Sequence, residues 1–208
     1  MTRTRIKICG LTRIDAALHA AHAGADAIGL VFYPPSVRNI EPVLAGEIAR
    51  SLPAFVSSVA LFVDAETEFV RTVIELVRPQ LLQFHGAETP DYCRQFGLPY
   101  IKAVHVHTGL DLVQYAARFR DAHGLLLDAC VSGEAGGTGK TFDWNLIPSA
   151  LSLPVILSGG LNSGNVKTAI TRIRPWAVDV SSGVEIARGI KDSIMVEQFI
   201  SEVANASR

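Results

Sequence analysis

Lys7-Ile8-Cys9-Gly10 sets a thiol at the end of a short apolar run, with a glycine directly after it. Side chains alternate along a strand, so Lys7 and Cys9 share one face, and Ile6 and Ile8 the other. The isoleucines suit a helix-covered face, and the lysine is then turned into the opposite one, where it needs an anion. A free thiol titrates near ~8.5, so Cys9 as a base at neutral pH needs a nearby cation, which Lys7 can supply. A carboxyl of the same kind ends the run Leu125-Leu126-Leu127-Asp128. A thiol and a carboxyl facing each other across a substrate can serve as base and acid. Taken alone, Cys9 reads better as a small buried hydrophobe; its place opposite Asp128 is what makes it chemical.

Two further segments suit an anion. Ser158-Gly159-Gly160-Leu161-Asn162 and Ser181-Ser182-Gly183-Val184-Glu185 each offer glycine backbone N–H groups after an apolar run. Glycine admits close approach of a phosphate, and helix N-termini complete such sites. The competing reading is two tight turns. Arg38, in Tyr33-Pro34-Pro35-Ser36-Val37-Arg38, has the planar fork that matches a carboxylate, although a solvated loop arginine is the commoner case. Asp179 is a candidate partner for Lys7, either tuning Cys9 or forming a structural ion pair in the core. His85, His105 and His107 allow a zinc trial, since two histidines at i, i+2 share a strand face. Loop or pocket histidines are the preferred reading, and no metal is expected. Gly133-Glu134-Ala135-Gly136-Gly137-Thr138-Gly139-Lys140-Thr141 looks like a phosphate-binding P-loop, but the glycine spacing does not hold. A loop that closes over substrate fits it better.

Short apolar runs alternate with helix-period runs from end to end, and these must position the residues above. Strands are expected at Ile6–Ile8, Ala27–Phe32, Ser57–Val63, Leu81–Phe84, Tyr100–Val104, Leu125–Asp128, Pro154–Ser158 and Ala177–Val180. Helices are expected at Arg13–Ala23, Pro42–Ser51, Thr67–Val77, Pro90–Phe96, Leu110–Phe119, near Trp144–Ala150, at Asn162–Ile173 with Asn162 as N-cap, and at Ser193–Ala204. Eight strand-plus-helix units imply a single closed (β/α)8 barrel over residues 1–208. An open doubly wound sheet is disfavoured because no dinucleotide fingerprint follows the first strand. Barrel sites sit at the C-terminal strand ends. Those ends are Cys9, Phe32, Phe62-Val63-Asp64, His85, His105 with His107, Asp128, Ser158-Gly159-Gly160, and Asp179 through Gly183. The two glycine segments then follow strands seven and eight, the common phosphate position of this fold.

Composition narrows the partners. The chain has 208 residues, 49% hydrophobic, with net charge −1 and mean hydropathy +0.28. That balance argues against nucleic acid and acidic membranes. Cys9, Cys93 and Cys130 are an odd set without a CxxC, as in a reducing cytoplasm. There is no signal-peptide pattern and no membrane-length apolar run. Met1 and eight complete units are expected of a free-standing chain, as a monomer or homodimer.

Taken in order, Lys7-Ile8-Cys9-Gly10, Gly29-Leu30-Val31-Phe32-Tyr33 with Arg38, Gln83-Phe84-His85-Gly86, Leu127-Asp128, Gly136 through Trp144, Leu157 through Leu161, and Val178 through Glu185 resemble the phosphoribosylanthranilate isomerase family. The resemblance covers almost the whole chain. It implies a (β/α)8 enzyme of tryptophan biosynthesis that rearranges N-(5-phosphoribosyl)anthranilate, a small-molecule substrate, to the carboxyphenylamino-deoxyribulose phosphate without metal or cofactor. It further implies Cys9 as general base and Asp128 as general acid. The substrate would be held by Arg38, Gly159, Gly160, Ser182, Gly183, Asp179 and His85. One departure is Ser36-Val37-Arg38 where the family often has Ser-Pro-Arg, which leaves the loop less fixed in φ. The rival readings are a metal-dependent barrel hydrolase, a phosphosugar-binding barrel without activity, and a sister isomerase of the histidine pathway. The last would carry two aspartates, and Cys9 discriminates against it.

Overall fold

The computed structural model describes residues 3–129 and 142–206. Eight parallel strands close on themselves: β1 (Arg5–Cys9), β2 (Ala27–Phe32), β3 (Ser57–Phe62), β4 (Leu81–Phe84), β5 (Tyr100–Val106), β6 (Leu125–Ala129), β7 (Val155–Leu157) and β8 (Ala177–Val180). β8 pairs with β1, with Lys7 opposite Asp179. The helices are α1 (Ile14–Ala23), α2 (Pro42–Ser51), α3 (Thr67–Val77), α4 (Pro90–Arg94), α5 (Leu112–Arg118), α6 (Val166–Ile173) and α7 (Ser193–Ala206). The expected barrel is therefore present. Among the described residues, no helix is long and apolar enough to cross a membrane.

The period-2 pattern sorts each strand into two faces. Ile6 and Ile8 join the core beneath the helices. Phe32, Phe62 and Phe84, the last residues of β2, β3 and β4, also face outward and stack in sequence at 5.5 and 6.1 Å. Each is buried to 1% exposure or less, and truncating such a phenylalanine costs about 3–5 kcal/mol. Phe32 was expected at the ring of active-site strand ends; its outward direction removes it from that ring. The barrel interior is layered. Ile101, Ala103, Leu126, Ile156 and Ala177 plug the lower part. Above them lie Lys7, Gln83, Asp128, Ser158 and Asp179, all buried.

Several boundaries moved for local reasons. β5 runs two residues further than expected because His105 and Val106 keep pairing with Asp128 and Ala129. α5 starts at Leu112 because the Asp111 carboxylate accepts from the Val113 and Gln114 N–H groups. The segment near Trp144–Ala150 makes only a 3-10 turn, Trp144–Leu146; Pro148 holds Ile147 extended. Asn162 is not the N-cap of α6. Its N–H donates to Asn165 Oδ1, its own Oδ1 accepts from Gly164 N, and this side-chain-closed turn delays the helix to Val166. A small antiparallel hairpin, β9 (Glu185–Ala187) with β10 (Ile190–Lys191), was not expected at all. The P-loop-like segment, Gly133 to Thr141, and Cys130 lie outside the described residues.

Candidate active site

One pocket opens at the C-terminal strand ends, and Cys9, Arg38, His85, Asp128, Asp179 and Ser182 all line it, with Gly159 and Gly160. Cys9 stands at the end of β1 and Asp128 near the end of β6. β1 is flanked by β2 and β8 around the barrel, so the two groups enter from separate walls. Val31 and Leu61 pack beside Cys9 and supply an apolar wall.

The surroundings of Cys9 are tightly built. Lys7 Nζ donates to Asp179 Oδ1 at 2.8 Å, and Ser158 Oγ donates to Asp179 Oδ2 at 3.1 Å. Asp179 faces the pocket with both oxygens already engaged. Burial disfavours charge on Lys7, but Asp179 and Cys9 more than offset it and hold the ammonium above its usual range. For Cys9 the balance runs the other way: burial pushes the thiol up by more than Lys7 pulls it down, and Asp179 adds to the rise. Gly29, paired with Cys9 across the β1–β2 ladder, makes the room. A Cβ there would lie 2.7 Å from Cys9 Sγ and 3.1 Å from Lys7 Cε.

Asp128 is fixed by donors. His85 Nε2 lies 3.1 Å from its Oδ2, and Ala129 N–H donates to Oδ1 at 2.8 Å. Gln83 Nε2 lies 2.9 Å from His85 Nδ1. An amide nitrogen only donates, so Nδ1 accepts and the imidazole carries its proton on Nε2, directed at Asp128. Burial alone would raise the Asp128 pKa; the bond from His85 and the neighbouring histidines more than offset it, and the carboxyl sits below its usual range. His105 packs edge-on against His85, with ring centroids 5.4 Å apart, and burial lowers its pKa. His107 lies past the end of β5, exposed, with Nδ1 against the Thr108 carbonyl. The three histidines of the zinc trial therefore do not converge; Asp128 takes the place of His107 beside the other two.

Arg38 is not a solvated loop arginine. It is 8% exposed, and its Nε and Nη2 donate to the two Glu185 oxygens at 2.8 and 2.7 Å. Lys191 Nζ donates to the same carboxylate and to Ser181 O. Burial would raise the Glu185 pKa, but Arg38 and Lys191 hold it at about 2. Gly159 and Gly160 adopt left-handed φ of 80° and 66°, which turns the chain back over Asp128; a Cβ on Gly159 would lie 2.9 Å from Asp128 Oδ1. A 3-10 turn, Ser182–Val184, follows β8, so the helix start nearest the pocket belongs to this turn and not to α6. Gly183 does not line the pocket. It lies against the preceding loop, where a Cβ would come within 1.8 Å of Leu161 O.

Sequence reasoning missed Gly29, Gln83, Glu185 and Lys191 as parts of the site. Gln83 had a usable signal, a lone polar residue in Leu81-Leu82-Gln83-Phe84 on the inward face. Glu185 and Lys191 had none, because the hairpin that joins them is set by tertiary contacts.

The arrangement is a buried thiol and carboxylate, a pocket wall of glycines and an arginine paired with a carboxylate, suited to acid–base chemistry on a small molecule. Comparison with known proteins agrees. A family model described as N-(5'phosphoribosyl)anthranilate (PRA) isomerase matches residues 6–202. An N-(5'-phosphoribosyl)anthranilate isomerase of Nitrosospira multiformis is 56% identical over 199 residues, 96% of either chain. The crystal structure of phosphoribosyl anthranilate isomerase from Thermotoga maritima is 42% identical, with TM-score 0.89 over 97% of this chain and 99% of that one. A further structure of this kind, in complex with reduced 1-(o-carboxyphenylamino)-1-deoxyribulose 5-phosphate, is 38% identical, with TM-score 0.83 over 97% and 99%. The chain belongs to the N-(5'-phosphoribosyl)anthranilate isomerase family.

Proposed function

We propose that this single-domain barrel catalyses the Amadori rearrangement of N-(5-phosphoribosyl)anthranilate to 1-(2-carboxyphenylamino)-1-deoxyribulose 5-phosphate in tryptophan biosynthesis. The observation that carries the reading is Cys9 and Asp128 on separate strands of one pocket walled by the loops after β7 and β8. Family membership over residues 6–202 supplies the substrate. Asp128 protonates the ribose ring oxygen, and the ring opens to an iminium. Cys9 then removes the C2 proton, and the resulting enolamine tautomerises to the ketone. Every atom of the substrate remains in the product, so two positioned proton-transfer groups suffice, with no metal or cofactor. Gly159, Gly160 and Ser182 hold the phosphate, with Gly183 fixing the shape of the loop. Arg38 takes the aromatic carboxylate, its plane set by Glu185. His85 orients Asp128, and Asp179 holds Lys7 beside Cys9.

The enzyme works in the cytoplasm. Of monomer and homodimer, the homodimer is favoured by Phe55, wholly exposed between α2 and β3 with a left-handed φ of 71°. A bulky residue held there costs about 1–3 kcal/mol, which a contact would offset. One Thermotoga maritima relative is described as dimeric. The test of the reaction is an anthranilate-fluorescence assay with phosphoribosylanthranilate. Turnover to the ketose supports the reading; a protein that binds this substrate without converting it overturns it in favour of the inactive phosphosugar-binding barrel.

A further inference from the structure

We propose that His85, His105 and Asp128 form a three-ligand site for zinc or a similar divalent transition metal, and that the ion inhibits the enzyme by occupying its acid. The inhibitory part rests on the reading of Asp128 given above; the binding part does not.

The three side chains stand at the ends of β4, β5 and β6, which are neighbours in the barrel. His105 and Asp128 are directly paired residues of the β5–β6 ladder. One ligand atom from each residue lies within 4.8 Å of the others. Zinc bonds of about 2.0–2.1 Å place tetrahedral ligand atoms about 3.4 Å apart. The His85 Nε2 to Asp128 Oδ2 separation of 3.1 Å is already close to that edge. The widest edge is no more than 4.8 Å. Two imidazoles and a carboxylate, with a fourth position open to the pocket, is a ligand set zinc accepts.

Gln83 supplies an independent observation. It is wholly buried, and its Oε1 has no hydrogen-bond partner among the described residues. Its Nε2 lies 2.9 Å from His85 Nδ1. A metal on His85 Nε2 moves the ring proton to Nδ1, which then needs an acceptor. The orphaned Oε1 is that acceptor, one rotation of the carboxamide away. The metal and the ring-opening proton compete for the same carboxylate, so occupancy excludes catalysis.

The experiment titrates the chelator-treated full chain with zinc alone, by calorimetry, and with cobalt, by visible absorption. One ion per chain is expected, with tetrahedral cobalt bands and no thiolate charge-transfer band. Turnover should fall with zinc and return with EDTA. His105→Gln, read against its own metal-free rate, should weaken zinc binding and inhibition roughly 10–100-fold. His107→Ala should leave both unchanged, and Cys9→Ala should still bind zinc. Equal inhibition of parent and His105→Gln, or zinc binding lost in Cys9→Ala, overturns the site. The metal titrations need no substrate: a chain that binds zinc with this variant pattern but does not isomerise sinks the reaction and keeps the site.

Discussion

Cys9 and Asp128 hold one proton between them in the free pocket, and it sits on the thiol. Burial raises Cys9, while His85 and its neighbours lower Asp128. The proposed chemistry starts from the opposite tautomer, thiolate and carboxylic acid, with the same proton count. Its share is constant between the two titrations, so kcat/KM should show a broad plateau. The limbs are then exchanged: the acidic limb follows Asp128, and the alkaline limb follows Cys9. Thiolate absorbance, taken as the difference between the parent and Cys9→Ala, should titrate with the alkaline limb; a thiolate already formed on the plateau would refute the assignment. Cys9→Ala and Asp128→Asn should each lower kcat by roughly 10²–10⁴ with little change in KM. Arg38→Ala should raise KM more than it lowers kcat, and should also lower the melting temperature, because it strips a partner from the buried Glu185. Gly29→Ala is a subtler probe: its methyl would lie 2.7 Å from Sγ, so kcat should fall while the barrel still melts cooperatively. The inward, strand-end positions of Cys9 and Asp128 were legible in the sequence because apolar runs mark the strands and alternation sets their faces; the pairing of Arg38, on the loop after β2, with Glu185 was not. Gly29 and Gln83 could not be assigned their jobs, because these depend on which residues the register brings alongside.

At the scale of elements, the strands were legible and the helix starts less so. Apolar runs bounded by turns mark β1 to β8, whereas the starts of α5 and α6 were decided by Asp111 and by the Asn162–Asn165 turn. The β4–α4 connection shows what lies beyond pattern reading. Lys102, on β5, is wholly buried; its Nζ donates to the carbonyls of Phe84 and Gly86 and to Glu88. Glu88 in turn accepts from the N–H groups of Asp64 and Gly86. This staple fixes the backbone on both sides of His85. Lys102→Met should cost about 3–5 kcal/mol by leaving Glu88 buried and unpaired, and should lower kcat through His85. Denaturant unfolding combined with kinetics checks both; an unchanged kcat would separate the staple from the acid. The β9–β10 hairpin carries the second charge cluster. Glu185 folds with a pKa of about 2 against the usual 4.5. Its contribution is therefore complete above about pH 4.5 and is lost as the pH falls toward 2. Glu185→Gln should flatten that part of the stability–pH curve.

Across the whole molecule, the closed ladder from β1 to β8 leaves no open sheet edge in the barrel, so assembly cannot run through the barrel strands. Phe55→Asp tests the proposed homodimer: the parent should elute as a dimer and the variant as a monomer, with little effect on kcat, since Phe55 does not line the pocket; a parent that elutes as a monomer, or a variant that stays dimeric, overturns that contact. The loops after β7 and β8 are separated by all of α6, yet Gly183 rests on Leu161 O with no space for a methyl. Each loop is the mould for the other. A designer transplanting this pair of loops into another barrel must move both together, and a lineage that drifts at one of them must answer the drift at the other.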